Sequence, residues 1–155
     1  MRLRTGHPED IDFILAQEAR AELQNFIFSS GRKQHQQNLS SQNWQCFIFQ
    51  KDETEVAFGY AILSGLGSPH GNICLTRILI MQPGQGYGKQ ALSLRLDWVF
   101  TEYKAHRFWL DVFEDNYRAR HVYQSVGFSS DFCLKSLISS LFSIVLHFFS
   151  FTFFR

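Results

Sequence analysis

The fold of this chain is decided by residues 78–92, which have the sequence ILIMQPGQGYGKQAL. The segment Ile73–Ile80 comes first, is apolar except for Thr76 and Arg77, and predicts a strand that is covered on both faces of a sheet. The change at Pro83-Gly84 ends this strand, and from Lys89 onward the apolar residues recur with helical spacing. A glycine-rich turn between a strand and a helix presents free backbone amides and the positive end of the helix dipole to an anion. The stretch therefore predicts a phosphate-binding loop at the end of a buried strand.

The glycine spacing separates this loop from two nucleotide-binding motifs. A nucleoside-triphosphate P-loop requires Gly-x-x-x-x-Gly-Lys-Ser/Thr, but Pro83 occupies the first glycine position and Gln90 occupies the Ser/Thr position. A dinucleotide loop requires Gly-x-Gly-x-x-Gly, whereas the glycines stand at 84, 86 and 88. Both motifs are excluded. A glycine-rich turn without any ligand stays open as an alternative, because isolated glycine motifs are weak signals.

Strand and helix patterns surround the loop on both sides. Four further segments have the apolar pattern of strands: residues 1–5, 44–50, 56–63 and 108–113. Three segments have helical spacing. The first follows Pro8, the second follows Lys89, and the third lies between Asn116 and Gly127. Residues 29–43 have only a weak helical pattern. From residue 73 the order is strand, helix, strand, helix, which implies a parallel or mixed sheet with a crossover.

Composition limits the class of protein. The 155 residues are enough for one domain with a buried core, and the net charge of +1 gives no basis for a nucleic-acid surface. Three widely spaced cysteines and six scattered histidines suggest neither a disulfide framework nor a metal site. The start of the chain has no apolar leader, so we expect a cytoplasmic protein.

Two motifs together resemble the Gcn5-related N-acetyltransferase (GNAT) superfamily. The first is Ile78-Leu79-Ile80 followed by Gly84-Gln85-Gly86-Tyr87-Gly88-Lys89, and the second is Asn116-x-x-Ala119-x-x-x-Tyr123-x-x-x-Gly127-Phe128. The resemblance runs from about Met1 to Phe128, and within the superfamily it is nearest to the ribosomal-protein N-terminal acetyltransferases. It implies an α/β (α+β) fold with a mixed, mostly antiparallel sheet, a splayed central pair of parallel strands, and flanking helices.

The resemblance also implies a binding site for acetyl-CoA. The backbone of Ile78, Leu79 and Ile80 would pair with the pantetheine arm, and Asn116 would contact the cofactor while capping its helix. The pyrophosphate would meet the amides of Gln85, Gly86, Tyr87, Gly88 and Lys89. The family has Arg or Gln where this chain has Pro83. Because the cradle is made of backbone amides, we expect binding to survive this difference, though more weakly.

The same resemblance assigns the catalytic groups. Tyr123 would be the general acid, since a tyrosine with its reference pKa of about 10 carries a proton at neutral pH. Asp111 would be the base, because it precedes Tyr123 by the twelve residues that separate the catalytic pair in the ribosomal-protein type. Alternatives from helix and strand patterns remain: Tyr123 as a core residue, Asp111 as a partner of Arg107, and Glu114 as the base.

The resemblance ends at Phe128, so we predict an acetyltransferase domain over residues 1–128 and an atypical hydrophobic tail over 129–155. The tail has no Gly, Pro, Asp, Asn or Glu after Asp131, and therefore no turn residues for the family's closing hairpin. Three interpretations compete: a membrane helix over 137–154, buried structure packed on a partner subunit such as a second copy, and an out-of-frame translation, which we favour.

The sequence thus predicts an enzyme that transfers the acetyl group of acetyl-CoA to a primary amine by direct attack, without a metal. The acceptor would be a small molecule or a peptide, with a peptide N-terminus suggested by the nearest resemblance. Two alternatives from other classes stay open. One is a non-catalytic acyl-CoA-binding or interaction protein, and the other is a tail-anchored membrane protein.

Overall fold

A computed structural model of the chain describes residues 1–23, 25–52, 54–133 and 148–154, with the backbone alone at 131–133, 148–151 and 154. Within these ranges seven strands form one sheet in the order β1-β2-β3-β4-β5-β7-β6. The strands are β1 (Arg2–Thr5), β2 (Trp44–Gln50), β3 (Ala57–Ser64), β4 (Asn72–Ile80), β5 (Arg107–Phe113), β6 (Ser129–Cys133) and β7 (Phe148–Phe154). All neighbouring pairs are antiparallel except β4 and β5, which are parallel. The predicted fold class is confirmed.

Four α-helices cover the two faces of the sheet in the described part of the chain: α1 (Ile11–Glu18), α2 (Gly31–Leu39), α3 (Tyr87–Thr101) and α4 (Tyr117–Ser125). Alternate residues of a strand point to opposite faces, and β2 separates the two cores in this way. Phe47 and Phe49 belong to the larger core with residues of α3 and α4. Cys46 and Ile48 belong to a smaller core with Ile14 of α1. The sheet is therefore covered by a pair of helices on each face.

The parallel strands β4 and β5 are paired over only part of their length. Their Cα partners are Asn72 with Arg107, Ile73 with Phe108, and Cys74 with Trp109. A bulge in β4 follows at once, because Ile62 of β3 lies opposite Arg77 while the next residue, Leu63, lies opposite Leu75. A bulge bends and twists the strand that contains it. It therefore turns β4 away from β5 at the point where their pairing ends.

The last strands join the sheet across the boundary predicted at residue 128. β7 lies between β5 and β6 and is antiparallel to both. The side chain of Phe153 packs 5.5 Å from the ring of Phe100 and 5.8 Å from that of Phe128. Residues 134–147 separate the two strands in sequence, so their pairing does not depend on the tight-turn residues that the tail lacks.

The last residues of the tail contradict a membrane helix over residues 137–154. Residues 148–154 form a strand and not the end of a helix, while residues 137–147 of the predicted span lie outside the described residues. None of the helices that the structure describes is long and apolar enough to cross a membrane.

Candidate active site

The site begins with the opening between β4 and β5. β4 continues through Leu75–Ile80 beyond its last β5 partner, while β3 pairs with the opposite edge of β4 as far as Ile80. The β4 backbone that faces the opening therefore has no strand to bond within the described sheet. An extended ligand can pair with such an edge as an added strand. The predicted cofactor strand, Ile78, Leu79 and Ile80, lies along this edge.

The predicted phosphate loop directly follows this strand. Gly84 has φ +85° and Gly86 has φ +77°, which glycine adopts without the strain that a side chain would cause. A Cβ atom at either glycine would meet nothing within 4 Å, so the space above both is open. Gln85 between them is exposed. The loop thus presents its backbone to an empty surface, which suits a ligand that approaches closely.

Helix α3 supplies the amides. Gly86 is its N-cap, and Gln90 N–H is bonded to Gly86 O at 3.1 Å. The amides of Tyr87, Gly88 and Lys89 precede this first helical bond and have no acceptor in the helix. They point from the positive end of a 15-residue helix into the open surface beyond the loop. This arrangement fits a pyrophosphate, as the sequence predicts.

Two contacts hold the loop between its neighbours. The ring of Tyr87 packs 4.8 Å from that of Phe58 on β3. A Cβ atom on Gly88 would lie 3.8 Å from Val122 Cγ1 on α4. The start of α3 is therefore close to α4, which carries the predicted general acid.

Asn116 caps the start of α4, and Tyr123 is the buried residue of that helix. The Asn116 side chain accepts a hydrogen bond from Ala119 N–H at 3.1 Å, so the predicted cap is confirmed. Tyr123 is 8% exposed and lies in the larger core, with its ring 6.0 Å from that of Phe128. Burial raises the pKa of Tyr123 above its ordinary value. The phenol is therefore protonated at neutral pH, as a proton donor must be.

Asp111 lies on the other face of the sheet. Phe108, Leu110 and Val112 of β5 are buried in the larger core with Tyr123. Asp111 alternates with them, is exposed, and shares its face with Phe113. The two predicted catalytic residues thus lie on opposite faces of the sheet. Asp111 and Arg107 are four residues apart on β5, which corresponds to about 13 Å along a strand. Arg107 donates a hydrogen bond to Thr152 Oγ1 at 3.1 Å. Both facts disfavour the alternative pairing of Asp111 with Arg107.

The structure adds two features that the sequence patterns miss. One is an aromatic contact across the opening, where Phe26 and Phe28 approach the ring of Phe113 with centroids 6.2 and 5.8 Å apart. The other is a buried ionic cluster around Glu18 and Arg77. The only sequence signal for the cluster is a basic residue, Arg77, inside a mostly apolar strand. Within the described residues, no group of His, Cys, Asp or Glu could hold a metal ion.

The site thus combines a parallel strand pair that separates, a glycine loop after it and a helix that begins at the loop. The sequence that forms these features matches a family model. The model of the acetyltransferase (GNAT) family matches residues 15–128. The chain belongs to the GNAT family. It is therefore an acyl-CoA-dependent N-acetyltransferase, and its acetyl donor is acetyl-CoA. No match was found among curated proteins.

Solved structures of spermidine N-acetyltransferase from Vibrio cholerae are similar in fold to this GNAT protein. One mutant form superimposes with a TM-score of 0.81 at 18% identity, covering 99% of this chain and 95% of that one. A complex with CoA and spermine gives 0.80 at 18% identity, covering 99% and 94%. A dodecameric form gives 0.79 at 17% identity, covering 99% and 92%. The narrower likeness to ribosomal-protein N-terminal acetyltransferases finds no support in these comparisons.

Proposed function

We propose that this GNAT protein acetylates a primary amine in the opening between β4 and β5. The observation that carries the proposal is the end of strand pairing at Cys74 and Trp109, after which the free edge of β4 leads to the open glycine loop. A cofactor with an extended arm and a pyrophosphate needs such a pair of sites in this order. Isolated glycine turns lack the adjacent free strand edge.

The cofactor would be held mainly by backbone groups. Ile78, Leu79 and Ile80 would bond the amide groups of the pantetheine arm, and the start of α3 would bond the pyrophosphate. Each exposed contact of an anion with a helix dipole contributes about 0.3–1 kcal/mol, so several amides from Gln85 to Lys89 must act together. Asn116 already caps α4, and its carboxamide would contact the cofactor at the same end of the helix.

The chemistry requires a neutral amine and a proton for the leaving sulfur. The amine nitrogen attacks the thioester carbonyl carbon, the carbon–sulfur bond breaks, and the sulfur takes the bonding electron pair. Tyr123 would give its phenolic proton to this sulfur, and Asp111 would take a proton from the amine directly or through water. Asp111 is exposed, so an acceptor could reach it, while Tyr123 is buried in the larger core.

Two acceptor classes have specific support. A polyamine is the first candidate, because a structure of similar fold binds spermine, and because Asp111, Glu114 and Asp115 are exposed around the end of β5 and would attract a cation. A peptide N-terminus is the second candidate, suggested by the sequence resemblance. Both are primary amines, so the reaction is the same for either.

Thiol release measured with acetyl-CoA and a panel of amines tests the proposal. Spermidine, spermine and short peptides with free N-termini form the panel, and N-acetylated versions of the same compounds are the controls. Release that depends on a free amine supports the proposal. Tight binding of acetyl-CoA without release from any amine would instead support the non-catalytic alternative.

Compartment and assembly are further parts of this proposal. A cytoplasmic compartment rests on the sequence, whose three widely spaced cysteines suggest no disulfide framework. A dodecamer of a spermidine N-acetyltransferase has a similar subunit fold, and we propose self-association here too. Light scattering on the purified chain would give its mass in solution.

A further inference from the structure

A carboxylate is buried on the face of the sheet opposite the larger core, the face that also carries Asp111. Glu18, the last residue of α1, has a fully buried side chain that forms an ion pair with Arg77. Ser29 Oγ donates to its Oε2 at 2.9 Å, and Tyr60 OH donates to its Oε1 at 3.1 Å. The Nε2 atom of buried His35 lies 3.1 Å from the same Oε1. One carboxylate thus connects α1, α2, β3, β4 and the segment between the helices.

Stability alone does not account for such a cluster. Burial would raise the pKa of Glu18, but the hydrogen bond from His35 and the charge of Arg77 lower it to about 2. The group is therefore ionised at neutral pH in spite of the cost of removing a charge from water. Buried ion pairs can often be replaced by apolar residues without loss of stability. The arrangement has a better use in fixing the positions of the groups that it bonds.

The segment fixed by this cluster reaches across the opening. Arg77 donates to Phe28 O at 2.6 Å, and Ser29 is bonded to Glu18. Arg77 stands next to the bulged residue Thr76 of β4, on one side of the opening. The rings of Phe26 and Phe28 contact Phe113 at the end of β5, on the other side. The segment 26–29 therefore lies across the opening, and its β4 end is held by the ionic cluster.

We propose that Glu18 is a positioning residue for the acceptor amine, because it holds the segment 26–29 as a fixed wall over the opening between β4 and β5. This inference rests on the proposed function, since the wall acts on an acceptor that enters there. Phe28, whose side chain is 62% exposed, is the part of the wall that an acceptor would meet first. Asp111 lies on the same face of β5 as Phe113, so the wall and the proposed base border one space.

The cofactor strand does not depend on the cluster. Ile78, Leu79 and Ile80 are paired through their backbones with Ala61, Tyr60 and Gly59 of β3. These bonds remain when the charge at position 18 is removed. Loss of Glu18 should therefore change the acceptor side of the reaction and leave acetyl-CoA binding as it is.

The first test is Glu18→Gln, which keeps the shape of the side chain and removes its charge. A misplacement of about 1 Å can lower a rate by up to roughly 100-fold, so we expect kcat/KM for the amine to fall about 10- to 100-fold. Most of this fall should be in the KM of the amine. The Kd of acetyl-CoA should stay within about twofold, because the backbone pairing of β4 is unchanged. An unchanged KM for the amine in folded Glu18→Gln overturns the proposal.

Two milder variants keep the proposal testable if Glu18→Gln does not fold. Ser29→Ala removes one hydrogen bond, and Arg77→Lys keeps the charge but replaces the forked donor that bonds both Glu18 and Phe28 O. Both should raise the KM of the amine less than Glu18→Gln does. Failure of both to raise it would also overturn the proposal.

Asp10→Asn is the matched control. Asp10 accepts two hydrogen bonds from Arg4, at 2.6 and 2.7 Å, in a partly buried ion pair that ties β1 to the start of α1. Its loss should lower stability without changing the KM of the amine. An equal rise of KM in Asp10→Asn would show that the effect is general destabilisation and would overturn the positioning role.

Hydrogen exchange separates this proposal from the proposed function. Amides of residues 26–29 should exchange faster in Glu18→Gln than in the wild type, whether or not an amine is acetylated. Unchanged exchange overturns the role of Glu18 in holding the segment. A wild type that acetylates no amine overturns the proposed function, and the acceptor role of the wall with it.

Discussion

Cys74 and Trp109 are the last Cα partners that β4 and β5 share. Beyond them each strand keeps its other neighbour, since β3 follows β4 to Ile80 and β7 follows β5 to Phe113. The opening is therefore a gap between two supported edges and not a frayed end. Its width is set by backbone pairing on the outer sides, so substitutions that disturb that pairing should affect the cofactor.

Gly59 tests this dependence. It is paired with Ile80, and a Cβ atom on it would lie 2.4 Å from Leu79 O, closer than real Cβ contacts allow. Gly59→Ala must therefore shift the backbone of the proposed cofactor strand. We expect Tm to fall and the Kd of acetyl-CoA to rise about tenfold, equivalent to roughly 1.4 kcal/mol. Calorimetric titration and thermal unfolding would measure both.

Gly67→Ala is the control for this change. A Cβ atom there would lie 3.4 Å from Asn43 Oδ1, an ordinary distance from a side-chain atom. Its Kd for acetyl-CoA should match that of the wild type. If Gly59→Ala also binds normally, β4 does not contribute to the cofactor site in the way proposed.

Gly86 tests the phosphate loop. Gly86→Glu puts a bulky anion at the N-terminus of α3, where the pyrophosphate is expected, and should weaken acetyl-CoA binding by at least about tenfold through volume and charge. Gly31→Glu is a matched control, because Gly31 has φ +73°, close to the +77° of Gly86, and a Cβ atom at either position meets nothing within 4 Å. The backbone strain is thus similar in both. Equal affinities of Gly86→Glu and the wild type would refute the phosphate loop.

Tyr123 tests the proton donor. Tyr123→Phe keeps the buried ring and removes the hydroxyl, so the fold should persist while kcat falls by roughly 10²-fold, as for loss of a general acid. Acetyl-CoA affinity should be unchanged. Tyr117→Phe provides the control on the same helix, because Tyr117 is 72% exposed and outside the core. Equal kcat values for both variants would leave Tyr123 as a core residue only.

The parts that sequence could predict are those encoded by neighbouring residues. The Pro83-Gly84 break placed the end of β4 within a few residues, and Asn116 identified the start of α4 because a cap acts on amides only three residues away. The helical spacing predicts a helix from Lys89, but α3 starts at Tyr87, since the left-handed Gly86 is its N-cap.

The parts that sequence could not predict depend on distant residues. Glu18 and Arg77 are 59 positions apart, and their spacing carries no local signal of an ion pair. The same holds for Phe28 and Phe113, which meet only because the segment 26–29 lies across the opening between β4 and β5. β7 was missed because β5 supplies its hydrogen bonds, and no turn motif marks a partner so far away in the chain.

Acid titration of stability gives an independent check on the Glu18 cluster. The pKa of Glu18 falls from 4.5 in the unfolded reference to about 2 in the fold. A lowered pKa means that the stabilisation is present above about pH 4.5 and is lost as the pH falls toward 2. The lowered pKa corresponds to a stabilisation on the order of 3 kcal/mol.

The difference in the free energy of unfolding between wild type and Glu18→Gln should therefore be largest near neutral pH and shrink below 4.5. Urea unfolding at pH steps between 7 and about 3 would measure this difference. A difference that stays constant over this range would contradict an ionised Glu18 in the folded protein. Asp10, whose pKa is also lowered by its hydrogen bond from Arg4, is intact in both proteins, so its contribution cancels in the comparison.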